Sequence, residues 1–281
     1  MKNAKLAIIV PTKGKVGILM GLINSIAYHS KYDRNLMKIY IADTGSSADE
    51  KKTLKDYLKR MHEHDGIQSV FIEYNYYNFA KINNDVVKNY VDKDTDLLLL
   101  CNNDVELIND AISMVVEKYT DGIGTVGARL MYKNNLVQHC GMLIKDGSVT
   151  HFLLKKPFDK KYEGSICNSY GNTGAFMLTS KKLWDDIGGL NENYKVCFED
   201  VEYNLECLVN RKLKNITLCD AVCFHYESLT RGRGIDKGDY KILSSFTKQL
   251  VAKKKEIENE AANKEGESAN KTGEEKAVTT T

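Results

Sequence analysis

Residues 97–107, LLLLCNNDVEL, decide how the rest of the chain is read. Four leucines bounded by polar residues are too short a run for a helix of the core. They read as a strand buried on both faces, as in a parallel sheet. The run stops at Asn102, Asn103 and Asp104, and Glu106 follows. A carboxylate at the open end of such a strand is a natural ligand for a hard divalent cation. Mg²⁺ and Mn²⁺ take oxygen donors and often keep phosphates in their shell. Asn and Asp are also favoured in solvated turns. This stretch alone leaves both readings open.

Working outward, the N-terminal side repeats one pattern. KLAIIVP reads as a strand, and VGILMGLINSIAYHS as a helix with Ile18, Leu22 and Ile26 on one stripe. MKIYIAD is the next strand. ADEKKTLKDYLKRMHEH is an amphipathic helix with Leu54 and Leu58 inward. SVFIEY is a strand, FAKINNDVVKNYV a helix, and NDAISMVVEKY a helix after the leucine strand. Strands alternating with helices predict an α/β, Rossmann-like, mostly parallel sheet flanked by helices. Ligands of such sheets sit beyond the carboxyl ends of the strands. Pro11-Thr12, Asp43-Thr44-Gly45-Ser46 and Asn102-Asn103-Asp104 are therefore expected along one edge.

The second half is mixed. TVGARLMY and LVQHCGMLI read as strands, with KDG as a turn; GAFMLTS is a further strand. KKLWDDIGG is a helix closed by glycines, with Trp184 in the core. FEDVEYNLECLVNRK is helical, with Val201, Leu205 and Leu208 on its apolar stripe, and NITLCDAVCFHYES is mostly strand. The expected organisation is one domain over 1–251, divided into halves at 1–120 and 121–251. A polar, disordered tail over 252–281 follows, begun by a frayed helix.

The 281 residues are 42% hydrophobic and 28% charged, with a formal net charge of +2, an ordinary soluble balance that argues against nucleic-acid binding. The apolar run near the start stops at Pro11, too short for a signal core or a membrane span, and a cytoplasmic protein is expected. The seven cysteines have no framework spacing, and no partner pair or histidine cluster completes a zinc site around Cys219 and Cys223. Reduced, buried thiols are expected.

Four further groups carry possible chemistry. Asp43 fits a ribose or base contact at the sheet edge, and equally a turn ahead of a serine-capped helix. Glu199, Glu202 and Glu206 recur at helical spacing opposite the apolar stripe and read as a solvated face. Asp200 lies off that line. His225 ends an apolar strand, and Arg231 and Arg233 follow in a glycine-bearing loop that can close over a diphosphate or remain solvated.

In order, IIVPTKG, IADTGSS, YNFAKINNDV, LLLLCNNDVEL, GNTGAFMLTSKKLWDDIGGLNENY, FEDVEYNLEC and HYESLTRG resemble a family 2 glycosyltransferase with a GT-A fold, over roughly residues 5–235. The pattern is most similar to the bacterial branch that builds O-antigen, capsule and other surface glycans. The resemblance implies a nucleotide-binding half, 1–120, and an acceptor-binding half, 121–251. It implies a base pocket, usually for uridine, at Pro11, Thr12 and Asp43, with Lys81, Asn83 and Asn103 near the nucleotide and Arg231 and Arg233 at the diphosphate. Asn102-x-Asp104 stands where the family has Asp-x-Asp, so Asp104, with Asn102 and His225, would hold Mn²⁺ or Mg²⁺. Asp200 matches the catalytic base, with Glu199 beside it, and Thr173 and Gly174 would approach the sugar and acceptor.

The implied reaction is inverting transfer from a nucleotide-sugar, in particular a UDP-sugar, to a glycan, lipid-linked or protein acceptor. A lipid-linked acceptor would be met at the cytosolic face of the membrane. Asn102 in place of the first aspartate also admits an inactive GT-A binding module. The faint basic loop PTKGKVG admits a sugar-phosphate nucleotidyltransferase.

Overall fold

The computed structural model describes residues 3–145, 148–226 and 236–248. The predicted alternation is present as β1 (Leu6–Thr12), α1 (Val16–His29), β2 (Met37–Asp43), α2 (Ala48–Asp65), β3 (Gln68–Glu73), α3 (Phe79–Asn89) and β4 (Leu97–Cys101). The four strands pair in parallel, in spatial order β3-β2-β1-β4. Local chemistry sets the helix ends. Ser47 and Glu50 form a reciprocal capping box at the start of α2, and Gly66 closes it in the left-handed region.

β4 is buried along its whole length. Leu97, Leu99 and Cys101 face a core shared with α1, α2 and α4 (Ala111–Lys118). Leu98 and Leu100 face the opposite core, with Ile82 and Val86 of α3 and Trp184 of a later helix. The continuous apolar run is what a strand covered on both faces requires. The stripe of α1 is centred one residue later than predicted: Leu19, Leu22, Ile23 and Ile26 are buried, while Ile18 lies half-buried at its flank.

Beyond β4 the direction changes. The remaining elements are β5 (Val105–Leu107), α4, β6 (Ile123–Met131), β7 (Val137–His139), β8 (Met142–Lys145), β9 (Ser148–His151), β10 (Ile166–Ser169), β11 (Phe176–Ser180), α5 (Lys181–Ile187), α6 (Glu199–Leu205), β12 (Lys214–His225) and a helix over 237–248, α7. β11 pairs antiparallel with both β4 and β6, β12 pairs parallel with β6, and β10 forms the edge. The result is a mixed sheet whose first half is parallel, as expected.

LVQHCGMLI is two strands rather than one. β7 ends at His139, Gly141 turns the chain at φ 103°, and β8 leaves the main sheet to pair with β9. The turn read at KDG falls largely on 146–147, outside the described residues. Leu208 is not on the buried stripe. α6 gives way at 206–210 to a wider π-type turn, which changes the phase and buries Cys207 instead. Arg231, Arg233 and the tail over 252–281 also lie outside the described residues. No helix among the described residues is long and apolar enough to cross a membrane.

Candidate active site

The strand β4 delivers its polar end to a cleft of about 610 Å³. Pro11, Thr12, Asn102, Asn103, Asp104, Thr173, Gly174, Glu199, Asp200 and His225 all line it. The carboxyl ends of β1 and β4 contribute the first five. β1 and β4 are neighbours from which the connections run in opposite directions, where such sheets open a crevice.

The short strand β5, unread from sequence, explains how Asp104 meets His225. β5 pairs antiparallel with the end of β12, matching Val105 to His225, and the Tyr226 amide donates to the Asp104 carbonyl at 3.0 Å. His225 Nε2 then lies 3.2 Å from Asp104 Oδ1 and 3.3 Å from Asn102 Nδ2. On the other side of the ring, Nδ1 lies 2.7 Å from Gln138 Oε1. An amide oxygen only accepts, so Nδ1 carries the proton and donates. That leaves the Nε2 lone pair of the neutral ring facing a carboxylate oxygen. The Asn102 amide is placed to donate to that lone pair, and a cation shared by Nε2 and the carboxylate would take its place.

A ligating histidine normally has its other nitrogen fixed in this way. An oxygen and a nitrogen donor, with a half-buried amide beside them, suit Mn²⁺ or Mg²⁺. Asn102, Asp104 and His225 therefore fit the metal that the sequence implied.

Asp200 reaches the cleft from α6. Its Oδ2 accepts from the Gly174 amide at 2.8 Å and its Oδ1 from the Val201 amide at 2.8 Å. The carboxylate is thus oriented by the same loop that carries Thr173. A Cβ on Gly174 would lie 3.2 Å from the Phe79 ring, so the bare backbone permits this approach.

The solvated-face reading of the glutamates fails. Glu199 is buried at the cleft, Glu202 accepts from Asn191 and from the Tyr194 hydroxyl, and Glu206 accepts from Asn210. The cause is the short helix, which packs into the protein on more than one face and has no open polar side. Phe198, just before it, sits at φ 80°, a left-handed conformation that costs a bulky residue about 1–2 kcal/mol. The preceding loop is held down from outside. Asp239 of α7, 1% exposed, accepts from the amides of Lys195, Val196 and Cys197 at 2.9, 2.7 and 3.0 Å.

Under the Gly171–Gly174 loop lies a buried amide network. Asn204 donates to the carbonyls of Asn172 and Asp200 and accepts from Thr125 and the Asn172 amide. Asn172 in turn donates to Thr125 and to the Ile216 carbonyl and accepts from Thr217. Asn172, Asn204, Thr125 and Thr217 are fully buried.

The other nucleotide candidates divide. Asn103 donates to Thr12 Oγ1 at 2.8 Å and ties β4 to β1. Asp43 pairs in register with Thr12, but its carboxylate turns to Ser46 and, at 3.9 Å, to Lys51. Lys81 is exposed, with its ammonium 4.9 Å from the Tyr76 ring. Asn83 is fully buried and donates to the Phe79 carbonyl. None of these last three lines the cleft.

Sequence reasoning missed Lys13, Tyr77, Gln138, His139 and His151 as lining residues. His139 and His151 meet Nδ1 to Nδ1 at 2.8 Å, and burial pushes the His139 pKa well below its ordinary value. The signal was faint: the strand VQH carries polar residues at positions that a buried strand would give to valine.

No family model matches the sequence. The uncharacterized protein y4gI of Sinorhizobium fredii is 29% identical over 240 residues, covering 80% of this chain and 25% of that protein. The O-antigen biosynthesis protein RfbC of Myxococcus xanthus is 25% identical over 256 residues, 84% of this chain and 18% of its own length. The chain thus spans a quarter or less of these relatives. Among solved structures, the mannosyltransferase PcManGT of Pyrobaculum calidifontis, in complex with GDP-Man and Mn²⁺, aligns with TM-score 0.58 at 14% identity, over 81% of this chain and 58% of that one. GalNAc-T7 with UDP, GalNAc and Mn²⁺ aligns with TM-score 0.65 at 10% identity, over 86% and 48%. TarS of S. aureus gives 0.56 at 14%, over 80% and 37%. These likenesses establish the GT-A glycosyltransferase fold.

Proposed function

We propose that the chain is a metal-dependent, inverting glycosyltransferase that moves a sugar from a nucleoside diphosphate, UDP in the first instance, to a hydroxyl of a surface-glycan acceptor. The observation that carries this reading is the pairing of Asp104 and His225, with Gln138 behind the imidazole, in the same cleft as a backbone-oriented Asp200. The Mn²⁺ and nucleotide-sugar ligands of the structural neighbours and the O-antigen role of RfbC lend it support.

Asn102, Asp104 and His225 would hold the Mn²⁺ or Mg²⁺. The ion would supply positive charge against the departing diphosphate. The remaining work falls to the protein. The Thr12–Asn103 bond closes the floor between β1 and β4 on the nucleotide side. Gln138 keeps His225 in the tautomer whose Nε2 is free to ligate. Asp200 takes the proton of the acceptor hydroxyl as that oxygen attacks the anomeric carbon. Its bonds to the Gly174 and Val201 amides keep both oxygens in place, so no reorientation is needed at the moment of attack. A single displacement assisted by one base inverts the anomeric centre. The short, buried α6 places Glu199 beside that base, where it can contact the sugar or acceptor.

The test is calorimetric titration with UDP-, GDP-, dTDP- and CMP-sugars, with and without Mn²⁺, followed by donor turnover with the class that binds. Metal-dependent binding of one class, with transfer or slow hydrolysis, is the expected result. Binding without turnover under any acceptor would identify an inactive module. Pyrophosphate release from a nucleoside triphosphate and a sugar phosphate would identify a nucleotidyltransferase.

A further inference from the structure

The fold gathers three cysteines that the sequence keeps far apart. Cys140 follows β7, Cys167 lies on the edge strand β10, and Cys219 lies on β12. The Cys219 sulfur is 3.6 Å from that of Cys140 and 3.6 Å from that of Cys167, and all three sulfurs lie within 4.8 Å of one another. A tetrahedral Zn²⁺ with Zn–S bonds of about 2.3 Å separates its sulfurs by about 3.8 Å. The sulfurs are therefore spaced as ligands, and far beyond the ~2.05 Å of a disulfide.

The surroundings favour an anionic metal complex. Cys140 and Cys219 are fully buried, while Cys167 is partly exposed and leaves a path for an ion. Arg129 stacks on Phe158, its guanidinium carbon 3.4 Å from the ring centre, and its buried Nε has no hydrogen-bond partner. No carboxylate among the described residues lies within ion-pair distance of it. Cys140 and Cys219 lie among its titratable neighbours, with Asp220 and Glu163, so ionised thiols would act on it directly. A half-buried cation without a counter-ion carries part of the cost of a buried one. Three thiolates around Zn²⁺ carry a net charge of −1, which that guanidinium would balance.

We propose that Cys140, Cys167 and Cys219 form a structural thiolate site for a thiophilic d¹⁰ cation, Zn²⁺ in the first instance, with solvent in the fourth position. Each thiol gives up its proton on binding. The ion would fasten β7, which carries Gln138, and β12, which carries His225, to the edge strand β10. This site shares no residue with the cleft and does not depend on the function proposed above.

The test is Co²⁺ and Zn²⁺ titration of the reduced, metal-stripped full chain. The expected result is a thiolate-to-cobalt charge-transfer band that saturates at one ion per chain, is displaced by Zn²⁺, and survives Asp104→Asn. Cys167→Ser, at the partly exposed position, should weaken Zn²⁺ binding on the order of 100-fold while the circular-dichroism spectrum stays native. Zn²⁺ should raise Tm more for the native sequence than for that variant. Absence of the band in the native sequence, or an undiminished band in Cys167→Ser, would overturn the proposal. So would air oxidation that removes two thiols in preference to metal uptake, which would make the cluster a disulfide switch.

Discussion

β4 and β12 carry the two halves of the candidate metal grip, and they are built differently. β4 is five apolar residues, all buried, with leucines alternating between two dry cores. β12 is twelve residues long, with Asn215 and Thr217 buried within it, a register shift between Leu218 and Val222, and His225 at its end. One strand is fixed by close packing, in which a change of even one methylene is felt. The other is fixed by hydrogen bonds, which must all be made together. The parallel half therefore presents Asp104 on a stiff support. The mixed half presents His225, Asp200 and the Gly174 loop on a support that exists only while its amides are satisfied.

Substitutions should sharpen that contrast, beginning with the largest effect. Asp104→Ala should bring transfer to background, a loss of at least about 10³-fold, and abolish metal-dependent nucleotide binding while Tm stays near native. Unchanged affinity by calorimetry would remove Asp104 from the site. Asp200→Asn should keep donor affinity and lower kcat by about 10²–10⁴-fold. Full turnover in that variant would clear Asp200 of the base role.

Next comes the support itself. Asn204→Leu leaves the Asn172 amide without its partner, takes one of the two acceptors of Thr125, and crowds Gly171, whose added Cβ would already stand 2.4 Å from Asn204. It should cost about 3 kcal/mol or more by denaturant unfolding and lower kcat with it. Leu99→Ala, in β4, should cost a similar 2–5 kcal/mol yet leave the turnover of folded protein nearly intact. Equal kinetic damage from both would erase the distinction drawn between the packed support and the hydrogen-bonded one.

Gln138→Leu should weaken metal affinity about 10–100-fold, since the imidazole loses the acceptor that fixes its tautomer, with little change in saturated kcat. The smallest effect is expected at Phe198, where Phe198→Gly relieves the left-handed strain. Stability should rise by no more than about 1 kcal/mol, because glycine's freedom in the unfolded chain offsets part of the relief. A fall in Tm would show instead that the half-buried ring contributes more than the strain removes.

The same contrast explains what the sequence revealed. The parallel strands and their helices were legible because apolar runs and 3.6-residue stripes have one simple reading, and Asp104 stood out as a polar break in such a run. Asp200 and His225 were singled out through the resemblance of their motifs, and both line the cleft. Asn204 gave no signal and Gln138 only a faint one, because a buried amide and a solvated amide are the same letter until the fold supplies partners. Asp239 was equally silent: nothing in GDY indicates that its carboxylate will cap three amides about forty residues earlier in the chain. The three cysteines failed for a related reason, since their spacing follows no local motif and only β-sheet pairing brings them together.

The β5–β12 pairing has a temporal consequence. Asn102 and His225, in contact through their side chains, are 123 residues apart in sequence. At elongation rates of about 5–20 residues per second, a ribosome needs about 6 to 25 s to pass from one to the other. Throughout that interval the nascent chain owns the carboxylate and lacks the imidazole. The pair cannot form until residue 225 has been synthesised, so any ligand that needs both groups is denied to the half-made chain.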